Sequence, residues 1–131
     1  MIVVDASVLA NVVGDDGADG DRARAALAGQ DVSVPDLVDV EVVSVLRRRW
    51  LARTMTARRF AAAIDDLSVL PADRYPMLPF LPRAYELRAN VSAYDATYAA
   101  LAEQLDCALV TADARLASAP GPRCAITVMR N

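Results

Sequence analysis

Ile2-Val-Val4 is an unbroken β-branched run, the pattern of a strand covered on both faces within a parallel sheet. Val32-Ser-Val34, Ala108-Leu-Val-Thr111 and Ala125-Ile-Thr-Val-Met129 read the same way. Between these runs, apolar residues recur at helical spacing from Asp36 to Trp50, Thr56 to Leu70, Leu81 to Ala89 and Ser92 to Leu105. Thr56 and Ser92 stand at the head of their patterns, where N-caps belong. A shorter helix is expected from Asp21 to Ala28, after the turn-rich acidic loop Gly14-Asp-Asp-Gly-Ala-Asp-Gly20. Pro71, Pro76, Pro79 and Pro82 leave room only for a short strand over Asp73 to Met77. Strands alternating with helices predict an α/β fold, a three-layer sandwich with a mostly parallel central sheet flanked by helices. With no internal repeat and no long linker, residues 1–131 are read as a single domain.

Composition narrows the chemistry. The chain carries 14 basic and 17 acidic residues and no histidine, and because it also lacks lysine every basic residue is arginine. Histidine-dependent triads, imidazole zinc sites and a histidine general base are excluded. So are a Walker-A lysine and Schiff-base chemistry. Any reaction near neutral pH must rest on carboxylates, hydroxyls, arginines, backbone or metal. An apolar fraction of 55% describes a packed globular chain. Cys107 and Cys124 read as reduced, core-filling thiols. No basic leader and no apolar run of membrane-spanning length is present, which predicts a cytoplasmic protein with no membrane association. The acidic loop lacks the glutamate that a calcium loop needs at its twelfth position and reads as a surface loop.

Four acids stand apart. Asp5 and Asp113 each follow a predicted strand, and in open α/β sheets ligands bind beyond the carboxyl ends of the strands. Glu41 has Leu37, Val38, Val45 and Leu46 three to five positions away, so it lies on or beside an apolar helix face. Asp95 shares its face with Tyr98, Ala99 and Ala102. Singly, each has a plain structural alternative: Asp5 and Asp113 as helix caps, Glu41 paired with Arg48, and Asp95 as an acid favoured in a first helical turn. Together they predict one oxygen-ligand cluster for a hard cation, Mg²⁺ or Mn²⁺, because a divalent ion relieves the repulsion among closely spaced carboxylates. The reaction that suits such a site is phosphodiester hydrolysis with metal-activated water.

The motifs Ile2-Val-Val-Asp-Ala-Ser7, Val34-Pro35 leading to Glu41-Val-Val-Ser-Val-Leu-Arg47, Ala93-Tyr-Asp-Ala-Thr-Tyr-Ala-Ala-Leu-Ala-Glu103 and Leu109-Val-Thr-Ala-Asp-Ala-Arg-Leu116 together resemble the PIN-domain ribonucleases. More narrowly, the chain resembles the VapC toxins of type II toxin–antitoxin modules. That resemblance implies an endoribonuclease whose catalytic and metal-binding acids are Asp5, Glu41, Asp95 and Asp113. Ser7 and Thr111 match hydroxyls that orient carboxylates or bound water, with helix capping and strand-end bonding as compatible roles. It further implies a cognate VapB-type antitoxin, a homodimer, and an RNA substrate of the tRNA or rRNA class. A PIN-like module that acts with an antitoxin on operator DNA without cleaving anything is the alternative.

An acidic chain is an unusual RNA binder, since backbone affinity comes from basic surface. The arginines, however, are gathered: Arg47, Arg48, Arg49, Arg53, Arg58 and Arg59 follow Glu41 closely, while Asp15, Asp16, Asp19 and Asp21 share one loop. Arg47, Arg48, Arg49 and Arg53, with Arg88 and Asn90, are the candidate RNA contacts. A solvated helix face or an antitoxin surface is the competing role. Tyr94 and Tyr98 are expected to be packing residues, and Trp50 a core or dimer-interface residue.

Overall fold

In the computed structural model, which describes residues 1–129, the predicted strands assemble into one parallel sheet. Strands β1 (Ile2–Val4), β2 (Val32–Pro35), β3 (Asp73–Tyr75), β4 (Ala108–Thr111) and β5 (Ile126–Val128) lie in the order β3-β2-β1-β4-β5. Val3 is in register with Ser33 on one side and Leu109 on the other, so the most apolar run occupies the centre. Helices α1 (Ala6–Gly14), α2 (Ala18–Leu27), α3 (Val38–Leu51) and α4 (Ala57–Val69) link β1 to β2 and β2 to β3, with α1 packed on each of the other three. Helices α5 (Leu81–Glu86) and α6 (Ala93–Leu105) pack on each other, and α6 lies against β1, β2 and β4. Helix α7 (Ala114–Ser118) joins β4 to β5. The predicted three-layer α/β architecture is the one observed.

The chain moves outward from β1 to β2 and β3, then returns to β4 on the other side of β1. The strand order therefore reverses between β1 and β4, the topological switch point where open α/β sheets leave a crevice. The core beneath it is aliphatic: Val3, Val4, Leu9, Val34, Val38, Val42, Leu46, Leu101 and Leu109 have no exposed surface. Burying each such side chain contributes about 1.5–3 kcal/mol.

Several helix starts are set by single side chains. Thr56 accepts the Arg59 amide at 3.1 Å and Ser92 the Asp95 amide at 3.1 Å, so both predicted caps are in place. Helix α2 departs from expectation by beginning at Ala18 rather than Asp21. Asp15 Oδ1 accepts the amides of Gly17 (2.8 Å) and Gly20 (3.0 Å), satisfying donors that a helix start leaves unpaired and drawing half of the acidic loop into the helix. Other elements are also shorter than expected, β5 covering Ile126–Val128 of the expected Ala125–Met129. Strand β3 stops at Tyr75, before Pro76, which has no amide to give the ladder. Helix α5 ends at Glu86 and relaxes into turns, with the Arg88 amide on Tyr85 O and the Asn90 amide on Leu87 O.

Gly20 is a site of close approach. A Cβ there would lie 1.8 Å from the main-chain oxygen of Asp15. Gly20→Ala is expected to destabilise the fold by about 2 kcal/mol or more in urea denaturation, because the obstructing atom belongs to the backbone. An unchanged midpoint would show that the α1–α2 turn yields freely.

Candidate active site at the strand switch point

Asp5 is the best-fixed acid. It leaves β1 in extended conformation, caps α1 and is only 6% exposed. Its Oδ1 accepts the Ser7 hydroxyl at 2.6 Å and the Val8 amide at 3.2 Å, and its Oδ2 accepts the Thr111 hydroxyl. Each hydroxyl in turn receives an amide from the turn after β4: Ala112 N–H donates to Ser7 Oγ at 3.2 Å, and Asp113 N–H to Thr111 Oγ1 at 3.0 Å. The carboxylate thus ties the turns that follow β1 and β4 across the switch point. A carboxylate offers roughly four acceptor positions, so three bonds leave Asp5 one lone pair for a further ligand. The capping role and the predicted hydroxyl contacts coexist here.

Glu41 sits on the first turns of α3, half-buried, and its Oε1 accepts the Tyr98 hydroxyl at 2.8 Å. No ion pair with Arg48 forms; Arg48 donates to Ser44 Oγ at 3.3 Å instead. Asp95 lies in the first turn of α6, also half-buried. Asp113 caps α7 by accepting the Arg115 amide at 2.9 Å, and the Arg115 guanidinium lies over its carboxylate at 3.3 and 3.4 Å.

Electrostatics separate these acids. Burial raises the Asp5 carboxyl above its ordinary range despite the hydroxyl and amide donors. Burial also raises Glu41, aided by the charges of Asp95 and Asp5 and opposed by the Tyr98 hydroxyl. Asp95 is raised by burial and by the charges of Asp5 and Asp113. Asp113 is lowered, chiefly by the Arg115 amide and then by its guanidinium. The Tyr98 hydroxyl is driven far up by burial and by Glu41, so it stays protonated and donates. Glu41 thus senses Asp95 and Asp5, and Asp95 senses Asp5 and Asp113. Among the described residues, however, no three acidic side chains converge into a closed cage.

The arginines divide into two groups. Arg47, Arg48, Arg53 and Arg58 are exposed. Arg49 turns inward, giving Nη2 to Asn11 Oδ1 at 2.6 Å, and Arg59 pairs with Asp16 at 3.0 Å while donating to Val13 O at 2.9 Å. Arg88 stacks on Tyr85 at 3.9 Å from the ring centroid, with Asn90 exposed nearby. The acidic loop is largely neutralised in place, since Asp19 and Asp21 pair with Arg22 and Arg24 as Asp16 does with Arg59.

Tyr98 is buried as expected, but Tyr94 is 59% exposed and is not a packing residue: it lies one position before Asp95, on the outer edge of α6. Trp50 is 43% exposed at the end of α3, which removes it from the core. Three contacts escaped the sequence reading. Tyr98 reaches Glu41 across 57 positions and Arg49 reaches Asn11 across 38, distances over which no periodicity speaks. Arg115 was legible in principle, two residues after Asp113.

A family model for the PIN domain matches residues 2–122. Ribonuclease VapC9 of Mycobacterium tuberculosis is 44% identical over 129 residues, spanning 98% of this chain and 98% of its own. Among solved structures, Mycobacterium tuberculosis VapC20, described as a Sarcin-Ricin loop cleaving toxin, superposes with a TM-score of 0.71 at 20% identity, over 90% of this chain and 94% of that one. VapBC2 from Rickettsia felis, bound to a DNA fragment from its promoter, gives a TM-score of 0.68 at 12% identity, over 99% and 100% of the two chains. A parallel sheet with acids at its switch point and a matching family model define the class: the chain belongs to the PIN-domain family. Within that family its sequence kinship is with the VapC ribonucleases.

The raised acids have a consequence for stability. Raised folded values mean that the folded protein holds these protons more tightly than the unfolded chain does. The contribution of Asp5 is therefore fully present below about pH 4 and is lost as pH rises through its raised value. In EDTA, the melting temperature of Asp5→Asn minus that of the unsubstituted protein is expected to grow more positive from pH 4 to pH 7. A difference that shrinks over that range would contradict the electrostatics described.

Proposed function

We propose that the chain is an endoribonuclease that depends on Mg²⁺ or Mn²⁺, the toxin of a type II toxin–antitoxin module. The observation that carries this reading is Asp5, held by two hydroxyls at the switch point and near enough to Glu41 and Asp95 for its charge to help raise both carboxyls. The donor set fits a hard cation: it is all oxygen, the chain has no histidine, and mutual repulsion disfavours a fully ionised cluster without a counter-charge. Kinship with curated ribonucleases over nearly the whole chain supports RNA as the substrate.

Asp5, Asp95 and Asp113 are the residues assigned to hold the ion, with Glu41 holding either the ion or a water. Bound there, a divalent cation supplies activation of water and neutralisation of charge on the phosphodiester. Ser7 and Thr111 orient Asp5, so that one oxygen keeps a lone pair directed away from its protein partners. Tyr98 holds Glu41 through a proton it does not release at neutral pH. Arg115, 93% exposed and loosely set on Asp113, is free to exchange its carboxylate for a phosphate. Arg47, Arg48 and Arg53, with Arg88 and Asn90, form the outer track for the RNA backbone, and Arg49 acts from within. In-line attack by water leaves a 5′-phosphate and a 3′-hydroxyl.

The proposed partners are a cognate VapB-type antitoxin, a second copy of the chain in a homodimer, and RNA of the tRNA or rRNA class, all in the cytoplasm. Among the described residues no helix is long and apolar enough to cross a membrane. The complete set of acids argues against a module that only binds operator DNA.

Asp5→Asn is expected to lower RNA cleavage by at least about a hundredfold while the protein still folds and binds its antitoxin. EDTA is expected to abolish cleavage by the unsubstituted protein, and Mn²⁺ or Mg²⁺ to restore it. Both are read by gel assay on total RNA; full activity in Asp5→Asn, or cleavage indifferent to EDTA, would overturn the mechanism.

A further inference from the structure

A groove of about 570 Å³ opens beside the turn between β4 and α7. Ala112 and Ala114, the neighbours of Asp113, form its near wall, and Asn11, Arg49, Asp15, Asp19, Met55 and Met129 are among the residues lining the rest. It borders the hydrogen-bonded turn that carries Asp113. Ala112 is bonded to Ser7, and Asn11 lies four residues beyond Ser7 on α1, hence on the same helix face. An RNA strand whose phosphate lies at the acids would therefore have a neighbouring base within reach of the groove.

The polar groups that line it are arranged as donors and acceptors. Arg49 Nη2 donates to Asn11 Oδ1 at 2.6 Å, while Arg49 Nη1 reaches Ala10 O at 3.5 Å. This contact uses the only side-chain acceptor of Asn11 and fixes the orientation of its amide, leaving the Nδ2 hydrogens to donate outward. Among the described residues Nδ2 has no partner. Asp15 uses Oδ1 for the Gly17 and Gly20 amides, and Asp19 uses Oδ1 for Arg22, so each retains a second oxygen as acceptor. Met55 and Met129 add polarizable apolar surface suited to the flat face of a base. Unpaired bases are the parts of RNA that proteins read, by stacking and by hydrogen bonds to their edges. Guanine is the base that presents two acceptors, O6 and N7, together with N–H donors on the adjoining edge.

We propose that this groove binds an unpaired guanine adjacent to the scissile phosphate, with Asn11 and Arg49 donating to its acceptor edge and Asp15 and Asp19 receiving its N–H groups. The inference rests on the endoribonuclease reading above and names what that site selects. It also gives Arg49 a task different from that of the exposed arginines: it reads a base edge, whereas they meet the backbone.

The test is to map cleavage ends produced by the full chain with Mg²⁺ on a pool of unstructured RNAs randomised around the cut. Guanine is expected to be enriched about tenfold at one position next to the cleaved bond. Asn11→Asp keeps the acceptor for Arg49 while removing the amide donors, and Asp19→Asn alters the opposite side at a half-exposed position. Each is expected to bring guanine enrichment below about threefold, with melting temperature confirming the fold. Cleavage by the unsubstituted protein without guanine enrichment, or enrichment that survives both substitutions, overturns this inference and leaves the endoribonuclease reading standing. Absence of any metal-dependent RNA cleavage overturns that reading and this inference with it.

Discussion

The carboxylate of Asp5 is the constraint from which the site follows. Each of its oxygens meets a hydroxyl, and each hydroxyl takes an amide from the turn that follows β4. A buried carboxylate is costly unless its lone pairs are used, and here the partners come from the start of α1 and the end of β4. The same bonds that make the burial tolerable fix the geometry of the crevice. They tie the turn that carries Asp113 to Asp5, give α1 its cap and leave one lone pair of Asp5 uncommitted. The stability of this edge and its readiness for a ligand have a common origin.

Charge is the second organising element. The acids at the switch point repel one another and burial raises their carboxyls, so a cation bound there would relieve a cost that ionising them carries. Away from the site, opposite charges settle locally, as where Arg59 closes on Asp16 and Arg24 on Asp21. Arg47, Arg48 and Arg53, on and just after α3, stay exposed outside these pairs. The formal charge of −3 therefore describes the sum and conceals the distribution.

Much of this was legible in the residues. Continuous apolar runs such as Ile2-Val-Val4 identified the buried strands, because a parallel strand covered on both faces has no polar side to alternate. The acids at strand ends and on apolar helix faces stood out because such positions penalise charge. The start of α2 was misjudged, since its N-terminus is stabilised by Asp15, whose carboxylate turns back on Gly17 and Gly20 in a way composition does not signal. The exposure of Tyr94 was likewise hidden, because periodicity says which residues share a face and not how far that face is covered.

The sequence by itself determined the fold class, the acids and the absence of histidine and lysine that directs any chemistry toward oxygen ligands. These are properties of residue type and short spacing, which local sterics and the hydrophobic effect read directly. Only the tertiary structure decided the strand order that puts β1 beside β4, the bond from Thr111 to Asp5, the Tyr98 bond to Glu41 and the inward turn of Arg49 toward Asn11. Those contacts join residues from 38 to 106 positions apart. Their energies arise from desolvation and geometry that exist only once the sheet has closed, so no local pattern could have carried them.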